Sequence, residues 1–193
     1  MDWLYAALLG YLAGSIPFGL LLTRLFGAGD LRAIGSGSIG ATNVLRTGHK
    51  GLAAATVLLD VGKGAVAVLL AARVFPGAEG IAAVAAVAGH CFPLWLKFRG
   101  GKGFATSAGV CLVLAWPVFL ICAGVWAVAI ASARISSVAS MSSIIIAPIS
   151  AWLLGFNGAV AALVAIAVVV IVQHRSNIAR LLKGEEPKVG SKP

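Results

Sequence analysis

Long apolar stretches dominate the chain, and three polar segments interrupt or follow them, at residues 27–51, 97–107 and, as a C-terminal tail, 173–193. A helix needs about 20 mostly apolar residues to cross the hydrocarbon core of a bilayer. The pattern predicts seven such helices, at residues 3–23, 52–74, 79–96, 104–119, 118–133, 137–154 and 158–173. The fourth and fifth meet near Pro117, where the chain either turns or bends within one long helix. We therefore expect an all-α polytopic integral membrane protein with seven transmembrane helices, forming a single domain over residues 1–193.

The composition agrees with this pattern. Hydrophobic residues make up 60% of the chain and charged residues only 11%, whereas soluble domains carry about 25% charged residues. These values exclude a disordered chain, a coiled coil and a soluble enzyme with a polar coat. The first apolar stretch follows Asp2 and not a basic segment, so we expect it to be retained as a membrane helix and not cleaved as a signal peptide.

The basic residues predict the orientation. With seven helices, the connections on one side of the membrane hold nearly all of them, and the other side holds only Arg73. The residues on the basic side are Arg24, Arg32, Arg46, Lys50, Lys97, Arg99, Lys102, Arg134, Arg175, Arg180, Lys183, Lys188 and Lys192. Lys and Arg near helix ends favour the cytoplasm. The N-terminus is therefore expected outside and the C-terminus in the cytoplasm. A six-helix arrangement would move Arg134 and the C-terminal residues to the far side, so the asymmetry favours seven.

The first polar segment (residues 27–51) has the composition of an anion-binding loop. Glycines allow backbone N–H groups to surround an anion, and Arg46 offers a forked donor for phosphate oxygens. The candidate phosphate ligands here are Ser36, Gly37, Ser38, Gly40, Thr42, Asn43 and Arg46. Residues 35–40 also match the G-x-G-x-x-G dinucleotide pattern, which we exclude because a membrane helix precedes it where a strand is required. The alternative is a flexible loop with a helix N-cap at Thr42 or Asn43; the mixture of donors favours phosphate binding.

The second polar segment (residues 97–107) contains a lysine among glycines. Gly101, Lys102 and Gly103 resemble half of a nucleotide-binding loop, but the complete G-x-x-x-x-G-K-[ST] pattern is absent. A nucleotide triphosphatase is therefore unsupported, whereas a glycine-flanked lysine still suits phosphate. Lys97 and Arg99 are better explained as anchors of the cytoplasmic face.

Two histidines close predicted helices near these segments. His90 lies at the cytoplasmic end of the third predicted helix, and His174 lies at that of the seventh. His174 and Asn177 are three residues apart, so they share a helix face and are expected at one site. A histidine that titrates near neutral pH can act as a general base or as a donor to an anion.

Further polar residues lie within the predicted helices. Asp60 and Lys63 are either a functional intramembrane pair or a neutral pair that orders the helices, and the sequence leaves both open. Ser140 belongs to a hydroxyl-bearing face at the start of the sixth helix, with Ser136 and Ser137.

Neither a metal nor a cofactor is expected. The three cysteines, Cys91, Cys111 and Cys122, lack metal-ligand spacing and are expected to be buried free thiols. The polar segments contain few carboxylates, so no acidic cluster is available to hold Mg²⁺. Metal-dependent phosphoryl transfer and glycoside hydrolysis are therefore disfavoured.

Five segments together resemble the bacterial acyl-phosphate:glycerol-3-phosphate acyltransferases, the PlsY family. The segments are GSIPFG (14–19), GSGSIGATNVLR (35–46), LDVGKG (59–64), GHCFPLWLKFRGGKGFAT (89–106) and HRSNIARLLKGEEPK (174–188). The resemblance covers nearly the whole chain. It implies a multi-pass enzyme of the bacterial inner membrane with a cytoplasmic active site. Such an enzyme acylates position 1 of glycerol 3-phosphate from a fatty acyl phosphate, giving lysophosphatidic acid and phosphate.

The resemblance also implies roles for individual residues. By motif, the catalytic residues are Arg46, Lys102, His174 and Asn177. The substrate-binding residues are Ser36, Gly37, Ser38, Gly40, Thr42, Asn43, His90, Gly101, Gly103 and Ser140. Because acyl phosphate is already activated, the glycerol hydroxyl can attack the acyl carbon directly, with either His174 or the substrate phosphate as the base.

The implied partners are the two phosphorylated substrates, fatty acyl phosphate and glycerol 3-phosphate, together with membrane lipid. The enzyme that forms acyl phosphate is a further candidate, and no nucleic acid is expected. Two other functions remain open at this point. A transporter should place its binding groups near the membrane midplane and show an inverted repeat. A scaffold that binds anionic lipid through a basic tail leaves the glycine-rich segments unexplained.

Overall fold

The computed structural model describes residues 1–190, and over these residues it consists of helices and connections with no strand. Lys192, which the sequence places among the cytoplasmic basic residues, lies outside the described residues. The α-helices are α1 Asp2–Gly14, α2 Phe18–Leu25, α3 Ala41–Leu45, α4 Lys50–Val74, α5 Glu79–Cys91, α6 Phe104–Leu114, α7 Trp116–Ala133, α8 Ser136–Leu153, α9 Asn157–Gln173 and α10 Arg175–Leu182.

Five helical segments are long and apolar enough to cross a membrane. They are Asp2–Leu25, Lys50–Val74, Glu79–Leu96, Trp116–Ala133 and Ser136–Leu153. A sixth is added if α9 and α10, which are bent by 57°, count as one span. Helix α6 has 11 residues and is therefore about 16 Å long, which is shorter than the ~30 Å hydrocarbon core. The structure thus has an all-helical membrane architecture with five or six candidate spans in its described part.

The chain turns between α6 and α7. Ala115 has left the helical conformation, with φ −159° and ψ 79°, and α7 begins at Trp116. Pro117 occupies the first turn of α7, where its missing N–H costs no hydrogen bond. Two separate helices are therefore present, as the seven-helix interpretation required, but the predicted helix 104–119 is wrong at its end. The residues on both sides of the turn are apolar, so the hydropathy pattern does not reveal the change in backbone direction.

The first membrane-spanning segment is broken between α1 and α2, at residues 15–17. Backbone carbonyls released by such a break must find donors, because lipid offers none. The Ile16 carbonyl accepts a hydrogen bond from Lys63 Nζ at 2.7 Å, and the Ser15 carbonyl accepts one from Trp95 Nε1 at 2.9 Å. Side chains from α4 and from the end of the third span therefore stabilise the break.

Glycines set the closest helix contacts. Gly10 and Gly14 bring α1 against the backbone of α5, while Gly64 and Gly109 bring α4 and α6 together. A Cβ atom at Gly109 would overlap the carbonyl oxygen of Val61. Small residues allow membrane helices to approach this closely and gain dispersion contacts, so the Gly and Ala content of these helices determines how they pack.

The largest apolar cluster is formed by α4, α5, α6, α8 and α9. Its buried members are Val68, Ala83, Val87, Cys91, Val110, Ile144, Ile166 and Val170. Helix α7 lies at the edge of the bundle and buries only Val118. The cysteines are free, with Cys91 and Cys111 buried and Cys122 half-buried.

Substituting Gly109 by Ala should destabilise the protein, because the new methyl group meets a rigid backbone carbonyl and not a side chain that can move. Overpacking of this kind costs about 1–3 kcal/mol. Thermal unfolding of the detergent-solubilised protein measures the effect. The matched control is Gly124→Ala on α7, where nothing lies within 4 Å of the added atom and Ala favours the helix by up to about 1 kcal/mol. Equal unfolding temperatures for the two variants would contradict the packing described here.

Candidate active site

The polar segments meet at one end of the helix bundle. The hydroxyl groups of Thr42 and Ser136 are 3.2 Å apart, which joins the first polar segment to the start of α8. Ser137, in the next position, donates a hydrogen bond of 2.6 Å to Glu186 of the C-terminal tail. The charge of Lys102, in the second polar segment, interacts with those of Glu186 and Arg46. The two polar segments, the start of α8 and the C-terminal tail, which are distant in sequence, therefore form one site.

Asn43 organises the first polar segment from inside. It is 2% exposed, and its Nδ2 atom donates to the backbone carbonyls of Leu31, Ile34 and Ser38 at 2.8–3.1 Å. Its Oδ1 atom accepts a hydrogen bond of 3.2 Å from Arg46 Nη1. Asn43 therefore supports the segment and orients Arg46, and its amide hydrogens face backbone carbonyls in place of the ligand expected from the sequence.

Two glycines in this segment adopt conformations that favour glycine. Gly35 has φ +52° and Gly37 has φ +66°. A Cβ atom at Gly35 would overlap the Arg46 guanidinium. The absence of a side chain at Gly35 therefore leaves the space that the guanidinium occupies. Gly40, in contrast, has φ −78° and caps the short helix α3, a conformation that any residue adopts. Ser36 is exposed and Ser38 is half-buried, so both hydroxyl groups lie near the surface.

The second polar segment is folded over His90. The backbone N–H groups of Gly100 and Gly101 donate to the carbonyls of Cys91 and His90 at 3.1 and 3.0 Å. A Cβ atom at Gly101 would overlap His90 Nε2, so the loop backbone lies directly against the imidazole ring. His90 is 3% exposed and supports the loop from below. Gly103, with φ +88°, starts α6.

Lys102 is half-buried within this loop, while Lys97 and Arg99 are exposed. Burial lowers the pKa of Lys102 to about 8; the Glu186 carboxylate opposes the shift, and the guanidinium groups of Arg180 and Arg46 add to it. The site thus contains three cationic side chains, with Lys102 interacting with the other two, and one carboxylate.

That carboxylate, Glu186, comes from the tail after α10. Its Oε1 atom accepts hydrogen bonds from Ser137 and from Asn177 Nδ2 at 2.6 and 2.5 Å. Its Oε2 atom accepts from Arg180 Nε at 2.7 Å. Burial alone would raise the pKa of Glu186, but these hydrogen bonds outweigh burial and hold the pKa below its ordinary value. Glu186 is therefore an ionised clamp between α8 and α10.

The tail is fixed beyond Glu186 as well. Gly184, with φ +72°, turns the chain back after α10. The N–H of Val189 donates a hydrogen bond of 2.6 Å to the carbonyl of Arg134, at the corner between α7 and α8. The tail thus crosses the active end of the bundle and joins its two sides.

His174 occupies the junction between α9 and α10 and is 3% exposed. Its Nδ1 atom is 2.7 Å from the carbonyl oxygen of Val170. A carbonyl only accepts, so Nδ1 carries the hydrogen and Nε2 keeps its lone pair. Asn177 follows on α10, and its Oδ1 atom is buried without a hydrogen-bond partner among residues 1–190. Ser140, 6% exposed, lies one turn further along α8 than Ser136.

Arg180 and Glu186 are the site residues that sequence reasoning missed, since it assigned Arg180 to membrane orientation and gave Glu186 no role. A signal for Arg180 was present, because it follows Asn177 at the same three-residue spacing by which Asn177 follows His174. Glu186 lies beyond the helix, so helical periodicity gives no indication of it.

Asp60 and Lys63 are separate from the cationic cluster. They form a buried ion pair of 2.8 Å within α4 and lie next to His90, with 3.6 Å between His90 Nδ1 and Asp60 Oδ1. Among the described residues, no group of three or more His, Cys, Asp and Glu side chains could hold a metal ion.

Comparisons with known proteins agree on one family. The family model for glycerol-3-phosphate acyltransferase matches residues 4–184. A glycerol-3-phosphate acyltransferase of Erythrobacter litoralis is 60% identical over 193 residues, which cover 100% of this chain and 98% of the relative. A second, from a Jannaschia species, is 51% identical over 185 residues, 95% of this chain and 91% of the relative.

Two solved structures are also similar. Both are crystal structures of PlsY, an integral membrane glycerol 3-phosphate acyltransferase. Its glycerol 3-phosphate form has a TM-score of 0.92 and 34% identity, covering 98% of this chain and 96% of that chain. Its lysophosphatidic acid form has a TM-score of 0.90, 33% identity and the same coverage. The chain therefore belongs to the glycerol-3-phosphate acyltransferase family and is an integral membrane acyltransferase.

Proposed function

We propose that this protein transfers a fatty acyl group from acyl phosphate to the 1-hydroxyl of glycerol 3-phosphate, releasing lysophosphatidic acid and inorganic phosphate. The related crystal structures are of a glycerol 3-phosphate form and a lysophosphatidic acid form, which supports the acceptor and the product. The observation that carries the proposal is the meeting of Arg46 and Lys102 with His174 and Asn177 at one end of the bundle.

The charges suit two phosphorylated substrates. Among residues 1–190, Arg180 is paired with Glu186, whereas neither Arg46 nor Lys102 forms an ion pair. Two cations are therefore available for two phosphate groups. In this proposal the hydroxyl groups of Ser36 and Ser38 add neutral donors to the same phosphates. The remaining proposed binding residues are Gly37, Gly40, Thr42, Gly101, Gly103 and Ser140. Asn43 and His90, which the sequence also predicted to bind substrate, are buried beneath the two loops and support them.

The proposed reaction is a direct acyl transfer. The 1-hydroxyl oxygen bonds to the acyl carbon, and the bond from that carbon to the phosphate oxygen breaks. The electron pair of the broken bond leaves with inorganic phosphate. Because phosphate is already a good leaving group, the site has to orient the substrates and stabilise negative charge, and no covalent enzyme intermediate is required. Neither a metal nor a cofactor takes part in this scheme.

The hydroxyl proton passes to the phosphate dianion of glycerol 3-phosphate. His174 Nε2 has the lone pair of a base, but a protonated His174 would be a buried cation close to Lys102. In this scheme His174 therefore binds and orients substrate. Loss of a general base slows a reaction about 10²–10⁴-fold. His174→Ala should therefore lower kcat by less than about 100-fold, and a larger loss would identify His174 as the base that accepts the hydroxyl proton.

We further propose seven membrane crossings, with the N-terminus outside, the active end in the cytoplasm and the protein in the bacterial inner membrane. The positive-inside distribution of Lys and Arg supports this orientation. In intact cells a membrane-impermeant thiol reagent should label a cysteine placed at exposed Pro76, but not one placed at exposed Lys183. Lysed cells control for reactivity, since both cysteines should then react. Labelling at Lys183→Cys in intact cells would overturn the orientation.

The donor is tested with purified protein in nanodiscs and labelled glycerol 3-phosphate. Palmitoyl phosphate should give lysophosphatidic acid, whereas palmitoyl-coenzyme A and palmitoyl-acyl carrier protein should not, because neither presents an acyl phosphate. Product formation is followed by thin-layer chromatography. A folded protein that makes no product from palmitoyl phosphate would refute the proposed donor, as would equal rates from the thioesters.

Variants then locate the site in the same assay. Arg46→Ala and Lys102→Ala should each lower kcat/KM by about 100-fold or more, since each removes a cation that binds a substrate phosphate group. Arg99→Ala is the matched control, because Arg99 is an exposed cation of the same polar segment as Lys102. It should retain activity within about twofold, and a comparable loss in Arg99→Ala would mean that the site is misplaced.

The pH dependence should report on Lys102. Its pKa is lowered to about 8 by burial, so raising the pH through 8 removes its positive charge and should lower kcat/KM. Lys102→Arg should lose this alkaline decrease, because a guanidinium stays protonated throughout this range. The measurement is kcat/KM between pH 6 and 10 for both proteins. An alkaline decrease that is identical in Lys102→Arg would show that another group is responsible.

A further inference from the structure

A buried ion triad lies directly beneath the second polar segment. It consists of Asp60 and Lys63 on α4 and His90 on α5, with side chains only 3–4% exposed. We propose that Asp60, acting through His90, is a positioning residue that holds residues 100–103 and therefore Lys102 in the conformation that binds substrate phosphate. This inference rests on the proposed function of Lys102.

Asp60 lies between Lys63 and His90 in the triad. Lys63 Nζ is 2.8 Å from Asp60 Oδ1 and also donates to the carbonyl of Ile16, so its positive charge is compensated. His90 Nδ1 has no hydrogen-bond partner among residues 1–190, and the polar atom it faces is Asp60 Oδ1, 3.6 Å away. In a dry environment a carboxylate at this distance attracts the Nδ1–H edge of the ring.

His90 is the member of the triad that contacts the loop of residues 100–103. The Gly101 N–H binds the His90 carbonyl at 3.0 Å, and the Gly101 Cα lies so close to Nε2 that a Cβ would overlap it. A rotation of the imidazole would therefore push Gly101, and Lys102 follows it in the chain. Asp60 attracts the Nδ1 edge of the ring and thereby fixes the ring orientation. That orientation in turn determines where Gly101 and Lys102 lie relative to the helix bundle.

If Asp60 and Lys63 only balanced each other's charge, replacing both would leave substrate binding unchanged. Replacing both partners of a buried ion pair by neutral groups is often harmless to stability, while removing one partner leaves an uncompensated charge and costs several kcal/mol. Asp60 has a second contact, with His90, that the neutral pair would not replace. Stability and substrate binding should therefore respond differently to the double substitution.

The experiment compares Asp60→Asn, Lys63→Met and the double variant. Each single variant should lower the unfolding temperature. The double variant should recover the part of the loss that comes from the uncompensated charge, but not the part that comes from the Ile16 carbonyl, which loses its Lys63 donor. The double variant should nevertheless show a KM for one of the two phosphorylated substrates raised about tenfold, with kcat within threefold. Displacement of a binding group by a fraction of an ångström acts on affinity in this way. Thr56→Val, a buried change on the same helix, should leave both KM values unchanged.

A second variant tests the same contact with the ion pair intact. His90→Asn removes the ring beneath Gly101 and should raise the same KM about tenfold; it decides the question if the double variant does not fold. Wild-type KM values in either a folded double variant or His90→Asn would overturn the inference. Absence of activity in the wild-type protein itself would instead refute the proposed function, so the two failures are distinguishable.

Discussion

The Glu186 carboxylate is the interaction on which the active end of this protein depends. It is the acceptor for a hydroxyl of α8, an amide of α10 and the guanidinium of Arg180. A charged acceptor strengthens each of these hydrogen bonds. Asn177 Nδ2 donates to this carboxylate, which leaves Oδ1 as the buried atom of that side chain without a hydrogen-bond partner among residues 1–190. A single anion thus fixes which donors and acceptors the site presents.

The helix bundle meets a different constraint, because lipid supplies no hydrogen bonds. Breaks in membrane helices are tolerated only where side chains satisfy the released backbone groups. Lys63 and Trp95 do so at the break between α1 and α2. The same lysine neutralises Asp60. These buried polar groups are therefore satisfied by one another and not by water. Glycine contacts then bring the helices close enough for dispersion to hold them together.

Much of this organisation was predictable from sequence. Hydropathy predicted an all-helical membrane protein, and the described part of the chain has five or six candidate spans. The glycine-rich segments with Arg46 and Lys102 lie at the same end of the bundle as His174 and Asn177, and their role as a substrate site stays a prediction. The end of α6 was missed because Ala115 and Trp116 are as apolar as a helix interior. Asn43 was expected to face a ligand, but its partners are backbone carbonyls that only the folded loop brings together. Arg180 and Glu186 depend on the path of the tail, which no local pattern encodes.

The unequal burial of α6 and α7 has a consequence for membrane insertion. Helix α7 has a mean hydropathy of 2.0 over its apolar window, and only 6% of that window is buried by protein. Its transfer into lipid therefore requires no partner helix. Helix α6 is too short to enter a bilayer independently, and its Gly109 fits only against α4. Biogenesis should accordingly proceed in two stages, in which the long apolar helices enter the lipid first and α6 is drawn in when α4 is already present to receive it.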